Sequence, residues 1–372
     1  MKIAIIGSNG FVGTRLVEHL HLDSPHTAVP IVRQPSSLAL PARFAIDWRL
    51  ADALDSDSLA AALHGCDAVV HAALGDPDQI TRMPAVLCAA AARAGLRRIV
   101  YLSSASVHGQ DIPPGTDEET PLHTRHSLDY NNAKVRAERA LFAAARRHSL
   151  HVYALRPGVV FGPRSRWITD AAQALRDGVA WLHGDGSGIC NTIYIDNLVH
   201  AIRLCLEHSD PAATATRAYL VADAETVTWA DFHAPVARAL EVPAEAIHRV
   251  EHLPAFPKSF RQRVDQTLSR PWAQKLLPAF PHKLKQNTKK ILATLSTPPP
   301  PDAWTIPAAP RPVITEEQAL LQQCRWKIPH ARATGLLAYH PPVTFAEGMA
   351  RSLAWLSFAR PDLFPEKVTS IK

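Results

Sequence analysis

The sequence lacks any apolar run near the roughly 18 residues that a membrane-spanning helix needs, so no such span is expected. It has only five cysteines, Cys66, Cys88, Cys190, Cys205 and Cys324, an odd number with no C-x-x-C pair. That excludes a disulfide framework and a cysteine zinc site, and fits reduced thiols. Its 19 histidines show no metal-ligand spacing, and no metal is assigned. The first expected strand follows Met1 directly, with no signal peptide visible, so a cytoplasmic location is expected. What the sequence does have is length and apolar content. With 372 residues, 47% of them apolar, it can bury a large core in one large or two interleaved domains.

The stretch MKIAIIGSNGFVGTRLVEHL organises the rest. Lys2 to Ile6 reads as a buried strand, and an amphipathic helix begins inside the glycine run that follows. Gly7, Gly10 and Gly13 stand at G-x-x-G-x-x-G spacing. The first allows a sharp turn and the second a close backbone approach to a pyrophosphate. The third allows tight helix–strand packing, and the helix N-terminus supplies free N–H groups and a favourable dipole. Such a triplet between a strand and a helix points to a dinucleotide.

Further strands alternate with helices. Ala28 to Arg33 should be the second strand, although Pro30 cannot donate to a ladder. Arg43 to Trp48 reads as the third. Asp55 and Ser56 cap a helix through Leu63. Asp67 to Ala73 and Arg98 to Leu102 are buried strands flanking a helix expected from Pro84 to Ala94. This alternation implies a parallel sheet covered on both faces, with ligands at the carboxyl ends of its strands. No acid follows the second strand. Arg33 stands there instead and favours a 2′-phosphate, hence NADP over NAD.

The strand Arg98–Leu102 delivers Ser103 and Ser104, and Tyr130 and Lys134 follow at the start of a helix running to about Arg147. Four residues apart, Tyr130 and Lys134 share a helix face. A free tyrosine is a poor base at neutral pH, but an ammonium beside it favours the phenolate. A serine hydroxyl can hold the substrate oxygen while the tyrosine exchanges its proton.

In this order GSNGFVG, DAVVHAA, VYLSSASVHG, YNNAK and LRPGVVFGP resemble the extended short-chain dehydrogenase/reductase superfamily, in its NAD(P)-dependent epimerase/dehydratase group. The segment ARATGLLAYHPPVTFAEGMARSLAWL resembles that family's Leu-Gly-Tyr-x-Pro element, with Ala338 in the glycine's place. The resemblance implies a Rossmann-type α/β fold, a doubly wound parallel sheet with a smaller, mostly helical C-terminal substrate domain. It implies a catalytic set of Ser104, Tyr130 and Lys134, with Ser103 a weaker match than Ser104. The cofactor would meet Gly7, Gly10, Phe11, Val12, Gly13, Arg33, Asp52, Ala72, Ala73, Tyr130, Lys134, Pro157 and Val160. His108 and Arg164 would lie on the substrate side.

Three departures from the family pattern narrow the reading. His108 replaces the usual tyrosine of Val-Tyr-Gly, and it can titrate near neutrality. Ile80 to Pro84 replaces the usual Asn-Val-x-Gly-Thr helix start. Val159 stands where many nucleotide-sugar members carry an asparagine that holds the substrate diphosphate, which brings the chain closer to the hydroxysteroid-dehydrogenase-like branch. The expected activity is therefore hydride transfer between a nicotinamide and a secondary alcohol or ketone. The alternatives are a nucleotide-sugar epimerase or dehydratase, and a non-catalytic NAD(P)-sensing protein.

The expected domains are 1–164, completed by about 191–225, for the cofactor, and 165–190 with 226–372 for the substrate. A basic, proline-rich insert covers about 257–310. From Lys258 to Lys290 nine lysines and arginines face one acid, a local net of +8 in a chain of net +6, so the remainder carries −2. Trp272, Phe280 and Leu284 interleave with these charges. Such a stretch reads as a lid on the substrate domain or as a peripheral contact with an anionic membrane at its cytoplasmic face. Beyond a small-molecule substrate no nucleic acid partner is assigned, and a homodimer is left open.

Overall fold

The computed structural model describes residues 1–209, 217–256 and 311–365. The chain divides into two compact units, Met1–Leu253 with Pro312–Lys372, and Pro254–Arg311. The expected basic insert lies outside the described residues.

The first unit is built on a seven-stranded parallel sheet of order β10-β6-β5-β4-β1-β2-β3. Its strands are β1 (Lys2–Ile6), β2 (Thr27–Val32), β3 (Arg49–Leu50), β4 (Ala68–His71), β5 (Arg98–Leu102), β6 (His151–Pro157) and β10 (Arg217–Val221). Helices α1 (Phe11–Leu22) and α6 (Ile195–Glu207) cover one face. Helices α2 (Ser56–Leu63), α3 (Pro77–Arg93) and α4 (Asp129–Arg147) cover the other. Alternation in β1 sets the layers: Ile3 and Ile5 belong to the first core cluster, Ala4 and Ile6 to the second. The central strands β1 and β4, buried on both faces, read as near-continuous apolar runs, as parallel sheets require, whereas the edge strand β3 is not buried.

Two expected boundaries shift. The third strand is Arg49–Leu50, not Arg43 to Trp48. The residues before it form a 3₁₀ turn at Pro41–Arg43 and an irregular stretch from which Phe44 and Ile46 pack against the first cluster. This short edge also accommodates Pro30. Val32 accepts from Ala51 N at 3.0 Å, so Val32, and with it Pro30, faces the β3 side. β3 begins only opposite Ile31, so no ladder bond is asked of Pro30. Helix α3 starts seven residues earlier than Pro84. Asp76 caps it by accepting from Gln79 N at 2.8 Å, Pro77 occupies the first turn, and Pro84 sits inside the helix.

Beyond β6 the chain forms β7 (Val159–Phe161), α5 (Arg166–Arg176), β8 (Trp181–His183) and β9 (Thr192–Tyr194), then α7 (Trp229–Ala239) and β11 (His248–Val250). β7 pairs with β9 and β8 with β11. After the second unit come α8 (Glu316–Gln323), α9 (Ala331–Leu337) and α10 (Phe345–Ala359). A third cluster joins Val159, Phe161, Ile168, Tyr194, Trp229, Phe232 and Leu356. Ala338, in the family's glycine position, closes α9 at φ +53°, a left-handed conformation costly for any residue with a Cβ. The neighbouring Tyr339 is fully buried, and its hydroxyl donates to the Ala222 carbonyl at 3.1 Å, just past the edge strand β10.

Candidate active site

Because the sheet strands are parallel, their carboxyl ends lie along one edge. Gly7 follows β1 there, Arg33 follows β2, Asp52 follows β3, Ala72 and Ala73 follow β4, Ser103 and Ser104 follow β5, and Pro157 closes β6. Gly7 has φ +86°, and a Cβ on it would lie 2.5 Å from Ala73 N. A Cβ on Gly13 would lie 2.1 Å from the Gly7 carbonyl oxygen. The loop and α1 therefore close on each other only as glycine. Gly10 is the N-cap of α1 and makes no side-chain capping bond, and the first turn holds no acid. This cradle fits a dinucleotide pyrophosphate: backbone N–H groups, a favourable dipole and no competing carboxylate. Phe11, Val12 and Val160 pack together against the third cluster. Arg33 is exposed, with no hydrogen bond or ion pair to any described residue. Asp52 is exposed too, one oxygen accepting from Leu54 N at 2.9 Å.

At the end of β5 the two serines differ. Ser103 is buried and its hydroxyl donates to Glu138 Oε2 at 2.7 Å, so it is engaged inward. Ser104 accepts from Ser106 N at 3.2 Å as the cap of the 3₁₀ turn Ala105–His108, and its hydroxyl favours the phenolate of Tyr130. Lys134 Nζ donates to the Leu102 carbonyl at 2.9 Å and lies 5.8 Å from the centre of the Tyr130 ring.

The electrostatics differ from the expected ones. Burial raises the Tyr130 phenol to about 12, the Ser104 bond lowers it, and the charge of Glu317 raises it further. The Lys134 ammonium is itself brought down to about 8 by burial, against the raising influence of Glu138. Tyr130 is therefore a protonated acid here, not a phenolate drawn down by Lys134. His108 is also corrected. It is buried, accepts from Arg156 Nη1 at 3.2 Å, and is pushed down to about 3 by burial first and Arg156 second. It does not titrate near neutrality, and its Nε2 is committed to Arg156. Arg164 has φ +73° and no partner among the described residues.

Sequence reading missed the layer behind these residues. Arg156 on β6 forms a buried ion pair with Glu138 on α4, with Nε donating to Oε2 at 3.1 Å. The same carboxylate holds Ser103, and the same guanidinium holds His108. Glu138 stands one helical turn after Lys134, a spacing that could have revealed it. Gln110 and Glu317 were also missed. They come from distant segments that only the fold joins, with Gln110 Nε2 donating to Glu317 Oε1 at 2.9 Å.

Fold and glycine cradle together define a dinucleotide-dependent enzyme. The chain belongs to the NAD dependent epimerase/dehydratase family, whose model matches residues 3–222. It is 33% identical over 259 residues to a 3 beta-hydroxysteroid dehydrogenase/Delta 5-->4-isomerase of Mycobacterium tuberculosis, covering 64% of this chain and 69% of the relative. It is 28% identical over 258 residues to a UDP-glucose 4-epimerase of Vibrio cholerae, covering 65% and 76%. A dTDP-glucose 4,6-dehydratase from Streptomyces venezuelae, solved with NAD bound, shares the fold at TM-score 0.66, with 19% identity over 97% of this chain and 98% of that one. The chain is thus an NAD(P)-dependent oxidoreductase of the extended short-chain type, on the hydroxysteroid-dehydrogenase-like side of the family.

Proposed function

We propose that this enzyme transfers hydride between a nicotinamide and a secondary alcohol or ketone on an apolar, steroid-like substrate. The carrying observation is the grouping of Ser104, Tyr130 and Lys134 at the carboxyl end of β5 and the start of α4, on the same sheet edge as the Gly7–Gly13 cradle. The cofactor, held by Gly7, Gly10, Gly13 and the start of α1, supplies the hydride exchange when bound. Ser104 holds the substrate oxygen by a hydrogen bond. Tyr130, protonated at neutral pH, gives its proton to that oxygen in the reductive direction and recovers it in the oxidative one. Lys134, fixed on the Leu102 carbonyl, supports the tyrosine from its own helix face.

Val159 supports the apolar substrate. It is buried in the third cluster, in the position where nucleotide-sugar members use an asparagine on the diphosphate. The hydroxysteroid relatives support the same class. Arg33 supports NADP over NAD, and the composition of residues 258–290 supports contact with an anionic membrane, which co-sedimentation with liposomes tests. No helix among the described residues is long and apolar enough to cross a membrane.

The test of the chemistry is Tyr130→Phe. Cofactor binding should persist while turnover of hydroxysteroids falls by about 10²-fold or more, the scale of general acid–base catalysis. A purified variant that binds NAD(P)H and turns over normally refutes the assignment.

A further inference from the structure

Lys134 is a buried cation with no ion pair of its own among the described residues. The carboxylate one turn further along α4, Glu138, is already committed. It accepts from the Ser103 hydroxyl at 2.7 Å and from Arg156 Nε at 3.1 Å. An unpaired ammonium away from water is costly unless other groups replace its hydration. One of its donors is used on the Leu102 carbonyl at 2.9 Å. Two aromatic faces supply the remainder. Nζ stands over the Tyr101 ring, 5.6 Å from its centre, and over the Tyr130 ring, 5.8 Å from its centre. Both distances fall inside the about 6 Å over which a ring quadrupole attracts a cation, and the attraction strengthens where water is excluded. Tyr101 belongs to β5, the strand that also delivers Ser103 and Ser104, and its side chain is fully buried. His71 on β4 sets the orientation of that ring by stacking on it, with centres 5.0 Å apart and planes 15° from parallel. Burial keeps His71 neutral, so the stack adds no second positive charge.

We infer that Tyr101 is a positioning residue of the active site: with Tyr130 it brackets the Lys134 ammonium between two ring faces and so keeps a positive charge beside the catalytic tyrosine. Its part in turnover rests on the proposed roles of Tyr130 and Lys134, whereas the bracket itself rests on the two distances. Tyr101 lies inside the layer between sheet and helices, so it acts through Lys134 and not on the substrate. Few groups bear on that ammonium. On α4 they are Tyr130 and Glu138, on β5 Tyr101, on β4 His71, and on β6 Arg156 behind Glu138. Glu138 is the anion among them, and Arg156 offsets it. Weakening the negative face of the Tyr101 ring therefore destabilises the ammonium against the neutral amine, and Lys134 should lose its proton at a lower pH.

The experiment has two arms and compares two rings of nearly the same shape at position 101. One chain carries Tyr101→Phe. The other carries a ring-trifluorinated phenylalanine there, whose fluorines drain negative charge from the ring face while leaving the packing in place. In the first arm the isotope-labelled Cε resonance of Lys134, identified by its loss in Lys134→Met, is followed by NMR against pH. Tyr101→Phe keeps the ring face and should titrate as wild type does. The fluorinated ring should lower the midpoint by about half to one pH unit, the scale of one desolvated cation–ring contact. Equal midpoints in the two chains overturn the inference. The second arm measures kcat/KM for reduction of a ketosteroid against pH. The charged lysine is the working form, so activity falls as pH rises through its midpoint, and the fluorinated chain should lose activity at the correspondingly lower pH. An alkaline limb that stays in place while the resonance moves overturns the part of Tyr101 in turnover. If wild type reduces no ketosteroid, the proposed substrate class fails and the resonance alone decides the bracket.

Discussion

Arg156 Nη1 donates to Nε2 of His108 at 3.2 Å, so the imidazole that replaces the family's tyrosine is held neutral as an acceptor. Burial pushes its pKa down to about 3 from 6.5, and burial does the same to His71, which stacks on Tyr101. In both cases the folded state binds fewer protons than the unfolded one between pH 3 and 6.5. Stability is therefore full above pH 6.5 and lost as pH falls below it, by about 2 kcal/mol per histidine near pH 5. His108→Gln keeps an acceptor for Arg156 without a titrating ring, so its urea midpoint should fall less between pH 7.5 and pH 5 than that of wild type. Parallel losses in the two proteins contradict this account.

Lys134 carries the opposite tension between stability and activity. Its ammonium falls from 10.5 to about 8 on burial, so holding it charged weakens the fold at every pH below 8, and the deficit vanishes above 10.5. Lys134→Met removes a cost of about 3 kcal/mol at pH 7 and loses one hydrogen bond of about 1 kcal/mol. The variant should be more stable than wild type by about 1–3 kcal/mol in urea at pH 7 and catalytically impaired. A destabilised Lys134→Met at pH 7 means the lysine is a net structural support.

Two glycines of the cradle separate folding from binding. An alanine Cβ at position 13 would lie 2.1 Å from the Gly7 oxygen, against 3.3 Å for one at position 10. Gly13→Ala should lose about 1–3 kcal/mol or more of stability, the cost of overpacking. Gly10→Ala should fold with a near-normal thermal midpoint and bind NAD(P)H weakly, because the methyl occupies the pyrophosphate approach. Calorimetry on both variants checks the pair. Full cofactor affinity in Gly10→Ala speaks against the cradle.

Arg33 is exposed at the end of β2, with no partner among the described residues. If it pairs with a 2′-phosphate, NADPH binds more tightly than NADH by roughly 10- to 150-fold, and Arg33→Ala erases most of the difference. Fluorescence titration at moderate salt reads both affinities. Equal values in wild type refute the preference.

The cofactor half of the fold was legible because its signals are local. Lys2–Ile6 and Arg98–Leu102 announce themselves as apolar runs, and Tyr130 and Lys134 share a helix face by spacing alone. β3 was misplaced because Phe44 and Ile46, apolar residues in an irregular stretch, mimic a strand by packing inward. α3 was begun too late because Pro84 reads as a helix start, whereas Asp76 and Pro77 supply the true one. The chemistry around Tyr130 was harder to see. Its acidity depends on burial, and the Gln110–Glu317 contact past the Ser104 turn spans 207 residues of sequence.

The bond from Tyr339 to the Ala222 carbonyl closes a span of 117 residues. β10 is an edge of the sheet, and α9, just before Tyr339, packs on it. On a ribosome, β1 through β6 can pair while that edge still waits for α9 and Tyr339. Contacts this remote in sequence form slowly, since loop closure precedes their reward. Throughout that interval an apolar strand edge is open to a neighbouring chain. The residues that finish covering β10 are therefore made more than a hundred positions after the strand itself.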